Sequence, residues 1–205
     1  MIKKYHKYLG LLMLLPFIAW AVTGVFFFIK PGYSSAYESL PVKTYPLNPL
    51  NFSLAQSPNK QSWLEVRQLH SILGQHLLVK TADGWQQIDP FTHKVINEPT
   101  VAQVRSLIND AIQINPQRYG QIATITAMEI TTTTDVNITL NWPEMRLYQK
   151  GEDTAFINTL YKIHYLQWTG IKTVDKYLGI LGLALVIILA ALGVVMTFRR
   201  KEHLE

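Results

Sequence analysis

Residues Leu9–Ile29 read LGLLMLLPFIAWAVTGVFFFI, and residues Tyr177–Phe198 read YLGILGLALVIILAALGVVMTF. The first run holds 21 residues and the second 22, and neither contains a charged side chain. About 20 consecutive apolar residues are needed for a helix to cross the hydrocarbon core of a bilayer. Both runs are therefore expected to span. The fold class that follows is a membrane α-helical hairpin with an α+β domain inserted between its two transmembrane helices.

The net charge of +5 is a flank signal. Lys3, Lys4 and Lys7 precede the first span, Lys30 follows it, and Arg199, Arg200 and Lys201 follow the second. Residues 31–176 carry 12 basic and 12 acidic side chains, so the inserted region is neutral. A nucleic-acid-binding domain needs a clustered basic face, so no nucleic-acid partner is expected. Basic residues in short flanks favour the cytoplasm. Both termini are expected there, with the central domain periplasmic in a bacterial inner membrane. The first apolar run is too long for a cleaved signal peptide, and no small-x-small cleavage pattern follows it. It is expected to stay as an anchor.

The chain has no cysteine. Disulfides, thiolate metal sites, covalent c-type haem attachment and cysteine nucleophiles are thereby excluded. There is no glycine-rich phosphate loop, no His-Glu-x-x-His zinc motif, no nucleophile elbow and no nicotinamide or flavin fingerprint.

The expected organisation is a first transmembrane helix over 1–30, a linker over 31–61, a periplasmic α+β domain over 62–150, an interfacial helix over 151–170, a second transmembrane helix over 171–200 and a cytoplasmic tail over 201–205. Pro16 should kink the first span, and Pro31-Gly32 should stop it. Pro31, Pro41, Pro46, Pro49 and Pro58 make the next segment an irregular linker. The apolar spacing of Leu64, Val66, Leu69 and Ile72 predicts a helix over 62–72. Strands are expected over 76–80, 85–88 and 93–96, and a second helix over 101–114. Three more strands should cover 122–131, 135–141 and 145–149, giving the order α-β-β-β-α-β-β-β. Residues 151–167 should form a helix lying near the outer membrane surface, with Trp168 and Tyr177 in the interfacial aromatic belt. Gly179, Gly182, Ala184, Ala190, Ala191 and Gly193 punctuate the second span with small residues that let helix backbones approach in lipid.

Three motifs carry a resemblance. His6-Lys7-Tyr8-Leu9-Gly10 with a late Thr23-Gly24 matches an opening pattern, Ile88-Asp89-Pro90-Phe91-Thr92-His93-Lys94-Val95 a hairpin, and Leu160-Tyr161-Lys162-Ile163-His164-Tyr165 a signature ahead of a later span. In this order they resemble the PepSY-associated transmembrane family, and the two-span form is similar to its short VciB-type branch of inner-membrane ferric reductases. Two features depart from the family: His93 stands where the hairpin turn has glycine, and larger members have four or more spans. The resemblance implies a PepSY-like periplasmic domain and a b-type haem. It also implies electron transfer outward to ferric iron or a ferric chelate in iron uptake, from a cytoplasmic donor that is unknown. Two helices cannot enclose a haem, so a homodimer through the spans, a four-helix bundle, is expected. The alternative is a non-enzymatic PepSY membrane module that binds or inhibits a peptidase or a sensor.

Imidazole suits haem iron. By its neighbours His6 reads as part of a basic flank; under the resemblance it is an axial ligand, with Gly10 leaving space one turn on. His164 reads as an interfacial residue, or under the resemblance as the second ligand, with Tyr161 and Trp168 on the same helix face. His70 and His76 rank below these as ligands, and His93 and His203 lower still.

Overall fold

The computed structural model describes residues 2–47, 60–89, 92 and 94–201 of the 205-residue chain. Along it, α1 (Ile2–Ile29) and the short α2 (Tyr33–Ala36) are followed by β1 (Glu65–Ser71), β2 (Gly74–Thr81), β3 (Gly84–Ile88) and α3 (Val101–Ala111). Then come α4 (Pro116–Tyr119), β4 (Ile122–Thr126), β5 (Glu129–Thr132), β6 (Asn137–Asn141), β7 (Arg146–Lys150), α5 (Glu152–His164) and α6 (Lys172–Lys201). Two compact units result: Met1–Tyr33 with Thr154–Glu205, and Ser34–Asp153.

The first unit is helical. Helices α1 and α6 are both long and apolar enough to cross a membrane, as the sequence predicts, which marks the chain as membrane-associated. Leu11, Leu15, Val22, Ile187 and Val194 stand exposed along them, a surface suited to lipid. Lys30 takes a left-handed φ of 54° as α1 ends, where Pro31 cannot continue it. The two helices pack antiparallel. A Cβ at Gly10 would lie 3.9 Å from Leu189 Cδ1, one at Gly193 would lie 3.7 Å from His6 Cε1, and one at Gly182 would lie 3.7 Å from the Trp20 ring. Gly10 therefore faces Leu189. Gly182 and Gly193 of α6 receive side chains of their own protomer, and Gly179 faces the Tyr165 carbonyl oxygen.

Helix α5 does not lie apart from the spans. It runs back along the C-terminal half of α1. Phe156 meets Phe26 edge-on at 5.8 Å, Tyr161 stacks on Phe27 at 4.4 Å and 15°, and the Tyr33 hydroxyl donates to that of Tyr161 at 3.1 Å. The chain reverses at Leu166 and Gly170, with φ of 55° and 73°, before α6 begins. Thr169 tightens that turn by donating its N–H and its hydroxyl to Asp175 Oδ1 at 2.9 and 2.7 Å.

The second unit is α+β and holds two antiparallel sheets, β1-β2-β3 and β4-β5-β6-β7. Its first element corrects the sequence reading. The helix expected over 62–72 is the strand β1, paired with β2 from Glu65↔Lys80 to Ser71↔Gly74. A short apolar run fits either period, and the two-residue turn that decides the matter carries no Asn-Gly signal. It is closed by Leu73 N–H donating to Ser71 Oγ at 3.1 Å and by Gly74 at φ 105°. Two further strands differ. Of the strand expected over 93–96, the described residues show a single bridge, Ile88↔Val95. The run 122–131 is broken by Ala127 at φ 53° into β4 and β5. From β1 to β7 the order is thus β-β-β-α-α-β-β-β-β, with the short α4 counted.

Residues of β2 alternate between two apolar clusters. Leu78 joins the main core with Val104, Ile108, Tyr119, Ile138 and Leu140, whereas Leu77 and Val79 join Ile88 and Trp63. This is the period-two signature of a strand buried on both faces. Helix α3 starts where Thr100 caps the Gln103 N–H and Gln103 caps Thr100 in return, a capping box. The compact unit also takes in residues from the segment read as linker: Leu40 and Val42 lie in the main core. The Tyr45 N–H donates to His70 O at 2.8 Å. Residues 48–59 of that segment lie outside the described residues, as do Pro90, Phe91 and His93 of the motif hairpin and 202–205 of the tail.

Candidate functional site

Within the helical unit, the end of α5 is fixed to α1 by two hydrogen bonds on one residue. The Trp20 indole Nε1–H donates to the His164 carbonyl oxygen at 2.7 Å. That carbonyl belongs to the last turn of α5, where no intrahelical donor is available. The His164 ring nitrogen Nδ1 lies 2.8 Å from Thr23 Oγ1, and Thr23 is itself 3% exposed. Trp20 and Thr23 are three residues apart on α1 and so share a face. Together they clamp the backbone and the ring of His164.

The other ring nitrogen, Nε2, makes no hydrogen bond among the described residues. Phe27 and Tyr165 stand edge-on to the imidazole, at 5.1 Å and 5.3 Å. The ring lines a mainly apolar cleft of about 420 Å³, with Trp20, Tyr165, Leu166, Gly179 and Leu183 as the other walls. A cavity of a few hundred Å³ with one convergent polar group is the usual form of a small-molecule or cofactor site. An imidazole nitrogen left open in an apolar cleft can ligate a metal centre or accept one hydrogen bond. The aromatic face expected from sequence differs in one member. Trp168 lies beyond the end of α5 and is 57% exposed, and Tyr165 takes the position against His164.

His6 lies near the start of α1, packed against Gly193 of α6. Its Nδ1 is buried and has no hydrogen-bond partner among the described residues. A buried polar atom without a partner is rare and calls for an explanation. Seventeen residues separate His6 from Thr23 along α1, or roughly 26 Å at about 1.5 Å per residue. The two imidazoles thus lie far apart along one span, and no group of three or more His, Asp or Glu side chains gathers among the described residues.

The lower-ranked histidines sit in the α+β unit. His76 is 5% exposed and occupied at both nitrogens: its Nδ1–H donates to Gln87 Oε1 at 2.9 Å, and the Ser71 hydroxyl donates to its Nε2 at 2.7 Å. This orientation follows because the Gln87 amide nitrogen donates to Trp142 O, which turns its oxygen toward the ring. Burial is the main cause holding the His76 pKa below its ordinary value. His70, on β1, donates through Nδ1 to Pro46 O at 2.8 Å. His93 and His203 lie outside the described residues.

Thr23 and Trp20 are the residues that reading the sequence for ligands passes over. A usable signal was present: a hydroxyl and an indole one turn apart inside an otherwise apolar span. No family model matches the chain, and no curated protein or solved structure matches it significantly.

Proposed function

We propose that this chain is a b-type haem protein of the bacterial inner membrane, a PepSY-associated ferric reductase that works as a homodimer through its spans. It passes electrons from a cytoplasmic donor to ferric iron or a ferric chelate in the periplasm. The observation that carries this reading is the open Nε2 of His164 in an apolar cleft. The donor set suits the cofactor: haem iron takes neutral imidazole, and a non-covalent macrocycle takes apolar walls. The orphaned Nδ1 of His6 marks a second imidazole at the other end of the same span.

In this reading His164 holds one haem through Nε2 and His6 holds another. Bound haem supplies a one-electron ferric–ferrous couple. Trp20, Tyr165, Leu166 and Leu183 exclude water from the outer site, and Trp20 and Thr23 keep the His164 ring from turning. Four spans, two from each protomer, close the walls that one pair leaves open to lipid.

The test is the absorbance spectrum of the purified protein in detergent. A Soret band, with resolved α and β bands after dithionite, is expected. His164→Ala should lose the outer haem and the reduction of an external ferric chelate by proteoliposomes. His6→Ala should block electron entry from the cytoplasmic side. A colourless wild-type preparation overturns the reading, as does full haem content with full ferric-reductase activity in both variants.

A further inference from the structure

We propose that Thr23 is a positioning residue that sets the tautomer of His164, so that the nitrogen facing a ligand is always the one without a proton. The hydrogen count of three groups decides the tautomer. Thr23 Oγ1 lies 2.6 Å from Ala19 O, with Trp20 O the next acceptor at 3.3 Å. A carbonyl has no hydrogen to give, so Thr23 donates its single hydroxyl hydrogen to α1 itself, a common arrangement for Ser and Thr in apolar helices. The remaining contact, to His164 Nδ1 at 2.8 Å, has no second hydroxyl hydrogen to use. Nδ1 must carry the proton and donate to Thr23 Oγ1. In the neutral ring Nε2 then holds a bare lone pair.

A solvated neutral histidine side chain favours the opposite tautomer, with the proton on Nε2. The carbonyl–hydroxyl–imidazole chain inverts that preference before any ligand arrives. It also polarises the ring, since a hydrogen bond donated by the remote N–H makes the ligating nitrogen more basic. The group at Nε2 must therefore take a lone pair, either a Lewis-acidic metal centre or a hydrogen-bond donor, and the haem reading selects the metal centre. A group that must receive a hydrogen bond from the ring would find no donor at Nε2. This inference rests on the haem reading for the identity of that centre, but its first half stands without it.

The experiment is ¹⁵N NMR of histidine-labelled, haem-free full-length protein in detergent, with the His164 signals assigned by their loss in His164→Gln. Wild type and Thr23→Ser should show Nδ1–H at His164, and the isosteric Thr23→Val should move toward Nε2–H. If Thr23→Val keeps the wild-type tautomer, the inference is overturned, whether or not the protein binds haem. The second half is read on the haem-loaded protein. Thr23→Val should weaken haem binding by about 10–100-fold and raise the midpoint potential, because a less basic imidazole supports the ferric state less. Thr23→Ser should restore both. An altered tautomer with unchanged affinity and potential overturns the tuning role. A wild type that shows the Nδ1–H tautomer but takes up no haem leaves the tautomer assignment standing and overturns the haem reading alone.

Discussion

The indole N–H of Trp20 and the carbonyl oxygen of His164 meet at 2.7 Å, joining α1 to the last turn of α5. The bond satisfies a helix-end acceptor in apolar surroundings and places the His164 ring against the face of α1 that carries Thr23. Trp20→Phe keeps an aromatic side chain and removes the donor. A buried acceptor left unsatisfied costs about 1–3 kcal/mol. The variant should melt at lower temperature in detergent and retain less haem. An unchanged melting temperature and haem content would mean that the bond holds nothing in place.

Gly182 is the point where α6 admits the turn after α5. A Cβ there would clash with Leu166 Cδ1 and crowd the Trp20 ring. Gly182→Leu should destabilise each protomer on the order of 1–3 kcal/mol, the usual cost of overpacking, and distort the His164 cleft. Gly193→Leu should act at the far end by displacing His6. Thermal melts and haem content of the two variants, each compared with a substitution at the lipid-exposed Leu181, check this. Equal behaviour of all three would place the packing of α6 elsewhere.

His76 makes a pH prediction. Its folded pKa lies below the ordinary 6.5, chiefly through burial and with His70 adding to the effect, against an opposing contribution from Gln87. The unfolded chain therefore takes up the proton first. The stability His76 confers is complete above pH 6.5 and is lost as the pH falls from there through the lower folded value. Melting temperatures should drop over that window in wild type and drop less in His76→Gln. A slope as steep in the variant assigns the effect to another group.

Topology rests on the basic flanks Lys3, Lys4 and Lys7 and Arg199–Lys201. In intact spheroplasts a membrane-impermeant maleimide should label Ser35→Cys and should reach Lys201→Cys only after permeabilisation. The reverse pattern would turn the protein over in the membrane.

Some of this was legible in the chain because the information is local. Twenty-odd apolar residues without a charge specify a span whatever surrounds them, and Thr100 with Gln103 marks the start of α3 through bonds within one turn. Basic flanks and the lack of cysteine act through composition alone. The misread strand β1 shows where local information fails. Leu64, Val66, Leu69 and Ile72 fit a helix period, and only the ladder to β2 makes them extended.

The site divides in the same way. His6 and His164 stand out in the sequence as imidazoles beside apolar runs, but their chemical states depend on partners far along the chain. Thr23 and His164 are 141 residues apart, so no window of sequence could pair a hydroxyl in one span with a ring on another helix. Sequence determined that two apolar helices bracket a polar domain, because hydrophobicity is a property of each segment by itself. Tertiary structure decided that α5 folds back along α1, that Gly182 and Gly193 of α6 admit side chains of the same protomer, and that Nδ1 of His164 is engaged while Nε2 makes no hydrogen bond among the described residues. Hydrogen bonds and close packing are properties of pairs, and folding alone chooses the pairs.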